Sequence, residues 1–85
     1  MLQVVIEPGA WRELEAVPSP YQERLLEVFD RLAGDPMAGK PLKGELRGLR
    51  SYRVGDYRAL YRVLPERGWV LVTHVGNRRE VYRRR

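Results

Sequence analysis

Arginine dominates the residues of this chain that could do chemistry. Arg50, Arg53 and Arg58 bracket the Gly55-Asp56 pair, and Arg78, Arg79, Tyr82 and Arg83 crowd the end of the sequence. A guanidinium stays protonated and presents a planar fork to phosphate oxygens. Such groups bind and neutralise an anion; they do not move protons. The residues that could move one are few: Lys40, Lys43, His74 and Tyr82. His74, alone between Thr73 and Val75, reads first as a structural strand residue. With no cysteine and one histidine, neither a thiolate nor a histidine metal cage can form, and no disulfide framework exists. No phosphate-cradling glycine loop and no framed pair of carboxylates is present. No cofactor or metal is expected.

The charge is segregated. Residues 1–39 hold three basic and seven acidic side chains, a balance of −4. From Lys40 onward there are thirteen basic and four acidic, a balance of +9, with eleven arginines against two lysines. A host that writes arginine for lysine would raise the count without segregating it. The pattern points to a polyanionic partner for the second half, and the arginine bias favours nucleic acid.

The elements that must position these residues follow from local pattern. Residues 2–6 are apolar and β-branched, and Glu7-Pro8-Gly9 stops them: a short strand. Residues 10–17 carry Trp11 and Leu14 at helical spacing. After Pro18-Ser19-Pro20, a second helix is expected, with Ser19 as its N-cap, Pro20 at its first position and Gln22 in a capping-box role. Tyr21, Leu25, Val28, Phe29 and Leu32 form its apolar stripe, and Gly34 and Pro36 end it. Residues 40–47 read as a connecting loop whose Lys40 and Lys43 could meet phosphate. Three strands follow over 49–54, 57–64 and 69–75, separated by Gly55-Asp56 and by residues 65–68. The third is apolar on both faces, as an interior strand is. Residues 78–85 form a basic tail or short helix.

The order is β-α-α-β-β-β in one domain over 1–85. Two amphipathic helices must bury their stripes on one sheet face, giving a two-layer α+β fold: N-terminal strand, helical hairpin and three-stranded antiparallel meander. Alternation puts Arg58 and Arg62 on one face of the middle strand, with Tyr57, Ala59, Tyr61 and Val63 on the other. In a meander the third strand ends where the second begins. Residues 76–78 therefore land beside Gly55 and Arg58, and the two basic groups converge. The acidic hairpin of residues 10–34 offers a separate groove between its apolar stripes. No apolar run approaches the ~20 residues of a membrane span, so no membrane association and a cytoplasmic location are expected.

The run from Leu49 through Gly55-Asp56-Tyr57-Arg58 to Val63 resembles the signature hairpin of the RelE/ParE toxin superfamily. Pro41-Leu42-Lys43-Gly44 before it and Val75-Gly76-Asn77-Arg78-Arg79-Glu80-Val81-Tyr82 after it strengthen the likeness, which covers nearly the whole chain. The resemblance implies the toxin of a type II toxin–antitoxin pair, a ribosome-dependent mRNA endonuclease cutting in the A site. It carries the family's sheet arginine onto Arg58, the arginine after the last strand onto Arg78 and the C-terminal tyrosine onto Tyr82. The family's basic pair before the turn falls on Ser51 and Arg53, so only one of the two is basic here. Lys40, Lys43, Arg50, Arg79 and Arg83 are then expected to contact RNA. The implied partners are an adjacently encoded RelB-like antitoxin, the ribosome and mRNA, with a monomeric toxin inside a hetero-oligomeric complex.

The chemistry such an enzyme needs is simple to state. A ribose 2′-OH attacks the adjacent phosphorus, so one group must take its proton, others must neutralise the extra phosphoryl charge, and another must protonate the leaving oxygen. Arginines suit the second task. Tyr82 either takes the proton or stacks on a base. Two other functions share the fold: a ParE-like poison of DNA gyrase, and a catalytically weak RNA-binding member.

Overall fold

The computed structural model describes residues 1–77, and Arg78, Arg79, Tyr82 and Arg83 lie outside the described residues. The elements are β1 (Gln3–Ile6), α1 (Pro8–Glu15), α2 (Tyr21–Gly34), β2 (Lys40–Pro41), β3 (Arg50–Val54), β4 (Tyr57–Leu64) and β5 (Trp69–Asn77). Short 3₁₀ turns at Pro36–Ala38 and Gly44–Leu46 flank β2. The strands form one sheet in the order β1-β5-β4-β3-β2. β3, β4 and β5 are the expected antiparallel meander, and β5 is an interior strand with β1 parallel along its outer side. Residues 40–41, expected as loop, pair with β3 instead. A two-residue strand leaves no periodic trace in a sequence.

The helical stripes pack as their spacing requires. Ala10, Leu14, Leu25, Phe29 and Leu32 meet Ala59, Tyr61, Val70, Val72 and Val75 in one core. Each large side chain buried there contributes about 1.5–3 kcal/mol. The helix entrance differs from expectation. α2 starts at Tyr21 with Pro20 in the cap position, and Ser19 Oγ donates to Glu23 Oε2 at 2.8 Å. Gln22 serves the preceding helix: its Nε2 donates to the carbonyls of Leu14, Glu15 and Val17. The short link brings the α2 N-terminus against the orphan carbonyls of α1, and the long amide reaches them.

Tyr61 anchors the connection from α2 to the sheet. It is fully buried; its hydroxyl accepts from Gly39 N–H at 2.8 Å and donates to Pro36 O at 2.7 Å. A Cβ on Gly39 would sit 2.5 Å from that hydroxyl, so only glycine fits. Arg50 Nη1 donates to Gly39 O at 2.7 Å and Met37 O at 3.3 Å, closing the same turn. These bonds set where β2 begins, and hence its register on β3.

Tyr61→Phe orphans the Gly39 N–H and the Pro36 carbonyl and is expected to cost about 1–3 kcal/mol. Burial holds the Tyr61 phenol above its ordinary value of 10.0, partly offset by the Gly39 bond and the Arg50 charge. The folded chain therefore keeps a proton that the unfolded chain loses. That stabilisation is complete below pH 10.0 and drains as pH rises toward the folded value. Urea melts at pH 8 and at pH 11 test this. The loss between them should shrink in Tyr61→Phe, and a variant as stable as the parent at pH 8 contradicts the anchor.

Candidate nucleic-acid interface

The sheet has one face under the helices and one face turned away from them. Cross-strand partners share a face, so register locates each side chain. Tyr57, Ala59, Tyr61 and Val63 belong to the helix side. Arg58, Leu60 and Arg62 occupy the other side, as the alternation of β4 predicts. The lower part of that side is covered: Leu42, Leu46 and Leu49 pack on Leu60, and the Arg62 guanidinium lies beside Gly48. The upper part, toward the β3–β4 turn, carries the polar side chains.

Two rows of residues cross this face, one toward the turn and one through the covered Leu60. Arg53 pairs with Arg58, and Arg58 with Gly76. Lys40 pairs with Ser51, Ser51 with Leu60, and Leu60 with His74. Ser51 is buried, and Arg58 Nη1 donates to its Oγ at 3.4 Å. Arg53 is exposed and curls back so that its Nε donates to Gly55 O at 3.0 Å. Two cations directly opposite each other repel by up to ~1 kcal/mol. A phosphate between them turns that repulsion into two charge-assisted contacts.

The turn beneath this pair is tightly built. Gly55 has φ +59 while Asp56 is not left-handed, the pattern of a type II′ hairpin turn. A Cβ at Gly55 would lie 2.7 Å from the Tyr21 ring, which in turn packs on Tyr57 with centroids 5.2 Å apart. Helix α2 thus braces the hairpin that presents both arginines.

His74 reaches this face through an irregularity. Leu60 pairs with His74 but Tyr61 pairs with Val72, so Thr73 is an extra residue in β5. Strict alternation from Val70 and Val72 would send position 74 into the core and position 75 outward. The bulge reverses both: Val75 is buried in the helix-side core, and His74 joins Leu60 opposite. At the outer edge, where β1 has ended, Glu13 Oε1 accepts the Val75 N–H at 3.1 Å.

The expected residues thus divide. Arg53 and Arg58 are cross-strand partners on one face, with Lys40 on the same face. Lys43 is exposed where the chain leaves β2. Arg50, opposite Tyr61, is turned to the helix side and bound to backbone carbonyls. The described chain ends at Asn77 beside Tyr57, so β5 finishes where β4 begins, as the meander requires. The sequence reads His74 first as a structural residue, though one of four groups able to move a proton, and Ser51 as the uncharged member of the basic pair that the resemblance implies. No pattern in the sequence marks the bulge. Among the described residues, no group of three or more acidic, histidine or cysteine side chains could hold a metal ion. No helix there is long and apolar enough to cross a membrane.

A second feature lies on the far side of the molecule. Trp11, Leu14, Glu15, Gln22 and Leu26 line a groove between α1 and α2, with Trp11 46% and Leu26 39% exposed.

Comparison with known proteins agrees with this architecture. The family described as the ParE toxin of type II toxin–antitoxin systems (parDE) matches residues 4–82. Toxin RelG of Mycobacterium tuberculosis is 39% identical over 77 residues, 88% of each chain. Toxin RelE of the same organism is 37% identical over 82 residues, covering 94% of this chain and 84% of that one. The crystal structure of the M. tuberculosis toxin–antitoxin complex RelBE2 contains a chain that superposes with a TM-score of 0.82 at 34% identity. That match spans 91% of this chain and 98% of the other.

If the paired arginines form a phosphate site, Arg53→Ala should weaken binding of a single-stranded oligoribonucleotide and flatten its salt dependence. The slope of log affinity against log salt should fall by about 0.7 for the lost contact. Arg53 is exposed, so the thermal midpoint should hardly move. A slope that stays constant places the RNA elsewhere.

Proposed function

The chain belongs to the ParE toxin family of type II toxin–antitoxin systems, and from that membership we propose that it is a ribosome-dependent mRNA endonuclease. The observation that carries this reading is the cross-strand pair Arg53 and Arg58, with Arg58 bonded to Ser51, on a sheet face that also presents Lys40 and His74. A DNA-gyrase poison acts by binding alone and has no need of a charge cluster focused on one phosphate with proton-transfer groups beside it.

The substrate is mRNA in the ribosomal A site. Its 2′-oxygen attacks the adjacent phosphorus, the bond to the 5′-oxygen breaks, and a 2′,3′-cyclic phosphate remains. Arg53 and Arg58 neutralise the charge that accumulates on the non-bridging oxygens. Arg78 and Tyr82 complete the site by family resemblance. Lys40 is the nearest equivalent of the basic residue that Ser51 replaces. It pairs directly with Ser51, so its ammonium serves the same face and supplies the proton for the leaving 5′-oxygen. Lys43, Arg79 and Arg83 contact flanking RNA, while Arg50 holds the turn before β2 through the Gly39 and Met37 carbonyls.

An antitoxin is the implied protein partner, since the similar M. tuberculosis structure is a toxin–antitoxin complex. A partly acidic antitoxin would cover the arginines by charge, and the Trp11–Leu26 groove offers it a second, apolar foothold.

The test is cleavage of a defined message on ribosomes carrying a programmed A-site codon, followed by mapping of the cut. Cuts within the A-site codon are expected, with Arg58→Ala slower by about 10²–10³-fold, the range for loss of one transition-state charge contact. An intact message together with inhibited DNA supercoiling by gyrase would establish the alternative.

A further inference from the structure

Arginine-rich sites leave one requirement open: a group must accept the 2′-hydroxyl proton. We propose that His74 is that group, acting through Nε2. The proposal rests on the endonuclease reading above and adds to it a residue that the family resemblance does not supply.

Three observations converge. The bulge at Thr73 places His74 on the sheet face turned away from the helices, opposite Leu60 and diagonal to Arg58. Diagonal neighbours across an antiparallel pair lie roughly 7 Å apart at the backbone, within reach of one phosphate and its ribose. The residue opposite Arg58 is Gly76, which offers no side chain to fill the space between them.

The hydrogen bonds then fix the ring. Thr73 Oγ1 donates its single proton to Leu60 O at 3.3 Å. The same oxygen lies 3.1 Å from His74 Nδ1. Having spent its proton, Oγ1 can only accept from the ring. Nδ1 therefore carries the hydrogen in the neutral imidazole, and Nε2 carries the lone pair. This is the arrangement by which a neighbour orients a catalytic histidine, with a threonine hydroxyl and a backbone carbonyl in place of a carboxylate. The same bulge supplies both the placement and the orienting hydroxyl.

The step balances without a co-reactant. The 2′-O–H proton passes to Nε2 as the 2′-oxygen bonds phosphorus. The P–O5′ bond breaks, and its electron pair takes a proton from Lys40. Lys40 stands at the other end of the Lys40–Ser51–Leu60–His74 row, three strand spacings or about 14 Å away at the backbone. The two proton-transfer groups thus lie on opposite sides of Arg58 across the sheet, the opposed placement that in-line displacement requires. Among the described residues, Arg58 and Arg62 of β4 share the face of His74, with Arg53 and Lys40 farther along it, and Glu7 follows β1 beside the bulge, its N–H donating to Val72 O at 3.0 Å. Glu13 of α1 sits at the outer edge of β5 on the Val75 N–H.

Single-turnover cleavage of a defined message on programmed ribosomes, measured from pH 5.5 to 8.5, tests the assignment. The parent protein should gain rate as pH rises through the range where an imidazole gives up its proton. His74→Gln should be about 10²–10³-fold slower near neutral pH and should lose that rising limb. Tyr82→Phe should keep the limb whatever its rate. Thr73→Val, which keeps the side-chain shape and removes the orienting hydroxyl, should slow cleavage about tenfold and shows the effect without touching the imidazole. A parent protein that cuts while His74→Gln and Thr73→Val both match its rate and profile overturns the role of His74 alone. A parent protein that leaves the message intact overturns the endonuclease reading, and the role with it.

Discussion

Strand β5 has to satisfy three neighbours at once. It pairs with β1 on one side and β4 on the other, and it supplies Val70, Val72 and Val75 to the helix-side core. Those three valines do not fall on one face of a regular strand, because the spacing from 72 to 75 is odd. The extra residue at Thr73 reconciles them. Most of what distinguishes the candidate site follows from that accommodation. The bulge carries His74 to the far face and gives it an orienting hydroxyl. It lets β5 continue in register to Asn77, beside the turn that holds Arg53 and Arg58. Glu13 caps the Val75 N–H where β1 no longer reaches. Packing on one face of the sheet is thus coupled to chemistry on the other.

The fold was legible wherever one interaction dominated the choice of residue. Apolar stripes at helical spacing gave both helices. Gly55-Asp56 gave the hairpin, because only a left-handed first position fits there. Alternation along β4 put Arg58 and Arg62 together, but both faces carry apolar residues, so it left open which of them meets the helices. What escaped notice depended on contacts between distant segments. Thr73 is β-branched and suits a regular strand as well as a bulge. Lys40 becomes a strand residue only because Tyr61 and Arg50 fix the turn before it. Arg50 reads as one more basic residue of the cluster, yet register turns it to the helix side, where two carbonyls hold it. Gln22 looks like a cap for its own helix and instead closes the one before.

Charge segregation takes on a sharper meaning in three dimensions. The acidic balance of residues 1–39 belongs mainly to the helical layer, and the basic residues gather on and around the sheet. The two layers lie back to back, so an incoming polyanion is drawn to the sheet side and kept off the helices. Within the sheet side, leucines cover Leu60, with Lys40 and His74 at the two ends of its row and Arg53 and Arg58 in the row toward the turn. In the proposed function arginine supplies the electrostatics there, and the bulge and the β2 register supply the groups that exchange protons.

In the proposed function, one phosphate of single-stranded RNA binds the sheet face turned away from the helices, between Arg58 and His74. Backbone NMR of the protein titrated with a short RNA whose 2′-oxygens are methylated, so that it cannot be cut, tests this directly. The account predicts shifts concentrated at Lys40, Ser51, Arg53, Arg58, His74 and Gly76, with Trp11, Gln22 and Leu26 unmoved. Shifts confined to the helical groove, or spread evenly over all basic residues, would contradict it.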